Sequence, residues 1–324
     1  MRLVIVTLMA MLLAAPAGAV GFETATVPDP GDQPLEVGIW YPSRAPSSAQ
    51  PLGLFTQTVA ANAQLSGNGL PLILISHGSG GSFEGHYDTA LALAQAGFVV
   101  ASVTHTGNNY RDDSRFSHVA DRPRHIIRVL DYMLGAWPAH GQIDRARIGV
   151  FGFSAGGFTA LVLIGGVPDL SRERVFCAAH EKDDWTCGQL RARNIPLTPP
   201  TASVWLHDER IRAAVIAAPA LGTTFTPAGL ANVTVPIQLW RAADDHILAH
   251  PYYAQAVYDA LPTKPDYRVV AHADHFDFLA PCSDRLAHYV PAICKSESGF
   301  DRAAFHRGFD AAIVAFFEKQ LPRK

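Results

Sequence analysis

The sequence predicts an α/β fold, with a mostly parallel central sheet covered by helices on both faces. Two observations carry that expectation. Short, continuously apolar runs such as 70–76 and 147–153 alternate with stretches such as 122–136, whose apolar residues recur at helical spacing. Strands buried on both faces read as unbroken apolar runs, and their alternation with helices is the pattern of a parallel sheet.

The elements follow in order. A hairpin is expected from 25–27 and 35–41, with Pro28, Asp29, Pro30 and Gly31 supplying the turn between them. Residues 43–69 are small and polar, and are expected to form a loop with little fixed structure. The strand at 70–76 ends at His77-Gly78-Ser79-Gly80-Gly81. A helix over 87–96 stops at Gly97, and 98–104 is the next strand. The helix over 122–136 sets Ile126, Val129, Leu130 and Met133 on one face. A strand at 147–153 runs into Ser154, followed by a helix over 156–164. Strands at 211–217, 235–240 and 267–271 continue the series, and an amphipathic helix over 303–321 closes it. Right-handed crossovers bring the C-terminal ends of the strands to one edge. Residues 165–208, rich in Arg, Asp and Pro, break the rhythm and are expected as a lid-like insertion above that edge, with a surface excursion without function as the alternative. The organisation expected is one domain over 20–324, carrying that insertion.

Composition narrows the class. The chain has 324 residues, 48% hydrophobic and 17% charged, which leaves ample side chains for a core. A net charge of −3 without runs of like charge argues against nucleic acid as a partner. The start differs from the rest: Arg2, an apolar stretch over 3–15, then Ala17-Gly18-Ala19. This reads as a signal peptide over 1–19, cut after Ala19; the apolar run is short for a spanning helix, and an uncleaved anchor is the alternative. No cysteine follows to take a lipid, so no stable membrane anchor is expected and the mature chain is placed in the periplasm or outside the cell. In such a compartment the four cysteines suggest disulfides, and proximity favours Cys177–Cys187 and Cys282–Cys294. A zinc site would want a C-x-x-C spacing, which is missing.

The strongest chemical signal is Gly152-Phe153-Ser154-Ala155-Gly156-Gly157. It lies between a buried strand and a helix, the setting of a nucleophile elbow, where a serine is held in a strained turn at a helix N-terminus. A serine hydroxyl needs a base, expected on the loop after the last strand. His275 is favoured there over His272. The imidazole in turn needs a carboxylate, and Asp245 is preferred to Asp244 after the strand at 235–240. The chain order Ser154, Asp245, His275 is the one such a fold requires. Backbone N–H groups of Ala155 and Ser79 are the candidate oxyanion donors, with Gly80 an alternative to Ser79. The glycine-rich loop at 78–81 lacks the Lys and Ser/Thr of a phosphate-binding loop. His246 and His250 stand four apart beside acidic residues, but Pro251 and the lack of H-E-x-x-H argue against a metal site.

With these residues in hand, the chain resembles the exported bacterial α/β-hydrolases of the predicted dienelactone hydrolase family, which are similar to secreted platelet-activating-factor acetylhydrolases. The match is carried by Val37-Gly38-Ile39-Trp40-Tyr41-Pro42, Ser76-His77-Gly78-Ser79-Gly80-Gly81 and Thr104-His105-Thr106-Gly107-Asn108. It continues through the elbow, the aspartates at 244–245, and His275-Phe276-Asp277-Phe278-Leu279 with Cys282. The resemblance implies an α/β-hydrolase fold and a triad at Ser154, Asp245 and His275, with no cofactor. Dienelactone hydrolases resemble cysteine enzymes, whereas position 154 is serine, so the family label does not fix the substrate. The function expected is cleavage of small-molecule or lipid-like carboxylic esters through an acyl-enzyme. The alternatives are a phospholipid acetyl-ester hydrolase within that class, or a catalytically silent binding protein on the same scaffold.

Overall fold

A computed structural model describes residues 19–180, 184–195 and 205–323. The expected leader therefore lies outside the described residues except for Ala19, as do 181–183 and 196–204 of the expected insertion.

Among the described residues the strands are β1 (Ala19–Val27), β2 (Leu35–Ser43), β3 (Ser48–Leu52), β4 (Phe55–Ala61), β5 (Leu70–Ser76), β6 (Val99–Thr104), β7 (Ile143–Phe153), β8 (Ile211–Ala217), β9 (Ile237–Ala242) and β10 (Asp266–Val270). They form one sheet in the order β10-β9-β8-β7-β5-β6-β2-β1-β4-β3. From β10 to β6 every pairing is parallel, while β2 runs antiparallel to both β6 and β1. The helices are α1 (Tyr87–Gln95), α2 (Asp121–Gly135), α3 (Ala155–Leu163), α4 (Ser171–His180), α5 (Trp185–Ala192), α6 (Ala254–Ala260), α7 (Asp284–Tyr289) and α8 (Arg302–Gln320).

The two-residue period of the strands divides the core into two layers. Leu72 and Leu74 of β5 point to the layer closed by α2, α3 and α6, through Ile126, Val129, Phe158, Leu161 and Val257. Ile73 and Ile75 point the other way, to Leu93 of α1 and to Phe309, Ile313 and Phe317 of α8. Every residue of β5 is buried, as a strand covered on both faces must be. Local signals set the helix ends. Gly97 takes φ +97 just past α1, and Phe98 N–H returns to the Leu93 carbonyl, a glycine-terminated cap. Asp301 caps α8 by accepting from Ala304 N–H at 2.9 Å.

Two expectations need correction. The segment 43–69 is not a structureless loop, because it carries the β3–β4 hairpin at the sheet edge. Phe55, Gln57 and Val59 alternate inward along β4, and Gly53 supplies positive φ (+55) in the two-residue turn. The inward Gln57 hides that alternation from an apolar count; its Oε1 accepts from Trp40 Nε1 at 2.8 Å. The first strand is also longer than 25–27, since Gly21 leaves space for the Tyr41 ring and Glu23 accepts from Trp137 Nε1 at 2.5 Å. Both residues interrupt an apolar pattern while serving the packing. The disulfides Cys177–Cys187 and Cys282–Cys294 are both formed, as proximity suggested. Among the described residues, no helix is long and apolar enough to cross a membrane.

Candidate active site

The C-terminal ends of β5, β7, β9 and β10 converge on one cavity. Ser154 sits between β7 and α3 at φ 54 and ψ −118, a conformation that L-residues rarely adopt. Such an outlier costs on the order of 1–3 kcal/mol and persists only where its surroundings enforce it. Here they do. A Cβ on Gly152 would lie 2.1 Å from the Gly156 carbonyl oxygen, so the turn closes only over glycine. Ser154 N–H donates to the Ala217 carbonyl, and the Ser154 carbonyl accepts from Ala220 N–H, both at 2.9 Å. The serine is thereby held from both sides.

His275 begins a short 3-10 turn over His275–Phe278, after β10. Asp274 and Asp277 close that turn as a capping box: Asp274 accepts from His275 N–H at 2.7 Å, and Asp277 accepts from Asp274 N–H at 2.8 Å. Asp277 is fully buried and its other oxygen accepts from Arg302 Nε at 3.0 Å. Arg302 also donates to the Ile293 carbonyl at 2.8 Å, next to the Cys282–Cys294 disulfide. The histidine-bearing turn is thus tied to α8 and to the cross-linked loop.

Three side chains meet in line. His275 Nδ1 is 2.9 Å from Asp245 Oδ2, and His275 Nε2 is 3.1 Å from Ser154 Oγ. The carboxylate can only accept, so the ring proton lies on Nδ1 and Nε2 is left to accept the serine O–H. Asp245 Oδ1 accepts from the N–H groups of Ile247 at 2.9 Å and Leu248 at 2.6 Å, which fixes its rotamer. Asp244 and His272 lie elsewhere: their side chains are 49% and 83% exposed and 3.9 Å apart. Ala155 N–H opens α3 beside Ser154, where a helix leaves its first donors without intrahelical partners. Gly78 abuts Ser154, since a Cβ there would be 3.1 Å from Ser154 Cβ. Gly78 and Ser79 both line the cavity.

The cavity measures about 810 Å³, within the size range of small-molecule sites. Its walls are largely apolar. Leu170, Trp185, Leu190, Ile195 and Leu206, all from the 165–208 segment, line it together with Phe276 and Ile293. Glu173 adds one carboxyl to the wall; burial pushes its pKa up to about 7, helped by the charge of Asp184 and opposed by the Thr223 hydroxyl at 3.0 Å.

Behind the loop at 77–81 lie buried polar groups that are not among the expected site residues. Arg122, on the inward face of α2, is 1% exposed. It donates to Thr159 Oγ1 at 3.1 Å, to Asn108 Oδ1 at 3.0 Å and to the His77 carbonyl. The signal that would have found it is spacing: Arg122 stands four and seven residues before Ile126 and Val129, on the same buried stripe.

No family model matches the chain, and no curated protein matches it in sequence. Among solved structures it is similar to a ferulic acid esterase from Streptomyces cinnamoneus, at 20% identity and a TM-score of 0.62. The alignment covers 95% of this chain and 91% of that one. Together with the parallel sheet flanked by helices on both faces, that likeness gives the chain the α/β-hydrolase fold.

Proposed function

We propose that the protein is a carboxylic ester hydrolase that works through an acyl-enzyme on Ser154. The observation that carries this reading is the continuous relay from Ser154 Oγ through His275 to Asp245, at 3.1 and 2.9 Å, opening on an apolar cavity. In the first step Ser154 Oγ attacks the ester carbonyl carbon while His275 Nε2 takes the hydroxyl proton. The carbonyl oxygen becomes an oxyanion, received by the N–H groups of Ala155 and Ser79. Collapse expels the alcohol, which takes its proton from His275. A water molecule repeats the sequence in reverse roles and releases the acid. Asp245 holds the ring tautomer and stabilises the imidazolium that forms twice per cycle.

The cavity walls favour an apolar acyl or alcohol group, so the substrates proposed are small apolar or lipid-like esters. Hydroxycinnamoyl esters join the candidates through the structural neighbour, whose name is ferulic acid esterase. We propose a single domain over 20–324 whose 165–208 segment shapes the pocket. Two disulfides support export, with 1–19 as the leader.

The test is labelling with a fluorophosphonate, paired with turnover of p-nitrophenyl esters from acetate to dodecanoate, methyl ferulate and a short-chain phospholipid. Labelling and turnover that vanish together in Ser154→Ala support the proposal. A folded wild-type protein that neither labels nor turns over any of these overturns it in favour of a silent binding protein.

A further inference from the structure

Behind the loop that carries Gly78 and Ser79 lies a buried polar cluster that the proton relay does not use. Ser76, His77, His105, Arg122 and His125 are all buried there. The hydrogen bonds fix how the protons are arranged. Arg124 Nη2 can only donate to His125 Nε2, at 3.2 Å, so His125 carries its proton on Nδ1. That proton points to His105 Nδ1 at 3.1 Å, which leaves the His105 proton on Nε2, facing Ser76 Oγ at 2.8 Å. His77 Nε2 accepts from His105 N–H at 3.0 Å, so its own proton lies on Nδ1 and is given to the Gly78 carbonyl at 2.5 Å. All three rings are therefore neutral, and burial lowers the pKa of each, in agreement.

One formal charge remains in the cluster, the guanidinium of Arg122. Among the described residues its partners are all neutral: Thr159 Oγ1, Asn108 Oδ1, Ser76 Oγ and the His77 carbonyl. The nearby carboxylates are paired with other arginines: buried Asp29 with Arg124, and Asp32 with Arg115 and Arg124. A buried cation without a counter-ion is expensive, and one retained in a fold wants a reason.

The reason lies in what the guanidinium joins. On one side it holds the His77 carbonyl, at the root of the loop bearing Ser79. On the other it holds Thr159, whose hydroxyl donates to the Ala155 carbonyl at 2.8 Å, in the first turn of α3. These are the two chain segments that supply the proposed oxyanion donors. We infer that Arg122 is a positioning residue, which sets the spacing of the oxyanion donors and places an uncompensated positive charge behind the developing oxyanion. Such a charge is retained because the anion it stabilises exists only during turnover. The inference rests on the ester-hydrolase reading above.

The experiment compares wild type with Arg122→Met, Arg122→Lys and Thr159→Val, using a p-nitrophenyl ester and an aryl trifluoromethyl ketone. Ser154 Oγ adds to the ketone carbon, the C=O π pair moves onto oxygen, and the serine proton passes to His275. The adduct is thus a stable oxyanion, whose pKa is read by NMR of a 13C-labelled carbonyl. Loss of an oxyanion-hole contribution is worth about 10²–10³ in kcat. We expect Arg122→Met to lose about 10²-fold in kcat with KM within about threefold, to lose ketone affinity in parallel, and to raise the adduct pKa. Arg122→Lys keeps the charge and should recover at least part of the pKa shift. Thr159→Val keeps the guanidinium but cuts its link to Ala155, and should lower kcat by about tenfold at unchanged KM.

A purely structural arginine would lower the melting temperature and leave the adduct pKa of the folded fraction where it was. Folded Arg122→Met with wild-type kcat, or with an unchanged adduct pKa, overturns the inference. If Arg122→Met does not fold, unchanged kcat in both Arg122→Lys and Thr159→Val overturns it. Wild type that neither turns over the ester nor forms the adduct sinks the proposed function instead, so the two failures are distinguishable.

Discussion

Gly156 packs so tightly on Ser76 that a Cβ added to it would fall 1.8 Å from the Ser76 carbonyl oxygen. The obstacle is backbone on a central strand, so nothing flexible can give way. Gly156→Ala is therefore expected to push the first turn of α3 off β5, taking Ser154 and Ala155 with it. Overpacking of this kind costs about 1–3 kcal/mol or more, and misplacing a nucleophile costs about 10²-fold in rate. Thermal unfolding and ester turnover check both. Gly308, exposed within α8 with open space around its Cβ direction, is the control. Gly308→Ala should stabilise by roughly 0.5–1 kcal/mol and leave turnover unchanged.

Asp245 and Asp244 are adjacent in sequence but opposite in environment. Asp245→Asn leaves a group that no longer holds the His275 tautomer, and kcat should fall by about 10³–10⁴. Asp244→Asn, at an exposed side chain, should stay within about twofold. Steady-state kinetics of the two variants at pH 7 to 8 separate them; equal losses would contradict the relay.

Stability should depend on pH through Glu173. Its carboxyl is buried, and its pKa is raised to about 7 from an ordinary 4.5. Below 4.5 both folded and unfolded chains hold the proton. Between 4.5 and 7 only the folded state holds it, so stability falls as pH rises across that window, and above 7 the full cost of the buried anion is present. Glu173→Gln should therefore gain on wild type between pH 5 and pH 8, by on the order of 2 kcal/mol. Denaturant unfolding at the two pH values reads this directly. Asp310, also raised to about 7 by burial, keeps part of the slope in the variant.

The two disulfides should have different consequences. Opening Cys282–Cys294 by paired serine substitutions frees the loop that Arg302 ties to Asp277. The loss should be roughly 2–3 kcal/mol from loop closure alone, with a fall in kcat because the His275 turn loosens. Opening Cys177–Cys187 loosens the cavity wall from α4 and α5, so KM should rise with little change in kcat. Melting curves and a KM-against-kcat comparison distinguish the two.

Much of the architecture was legible because parallel strands covered on both faces are predominantly apolar, and 70–76 and 211–217 read as strands on that ground. Ser154 was legible for a related reason: its turn tolerates only glycine at 152 and 156, and that requirement is written in the chain. The β4 strand was not legible, because Gln57 faces inward to meet Trp40. The cluster around Arg122 was hidden for the same cause. Buried polar side chains satisfied by one another look, in a sequence, like residues of the solvated surface.

The proton relay and the pocket wall belong to different stretches of chain. Ser154, Asp245 and His275 are fixed to the ends of β7, β9 and β10, whereas Leu170, Trp185, Leu190 and Leu206 come from a segment stapled internally at Cys177–Cys187. On the proposed ester-hydrolase reading, bond-breaking and the choice of which ester to accept are therefore separately adjustable. Side chains at 170, 185, 190 and 206 can be exchanged to suit a bulkier or longer guest while the reacting atoms stay where the sheet has put them.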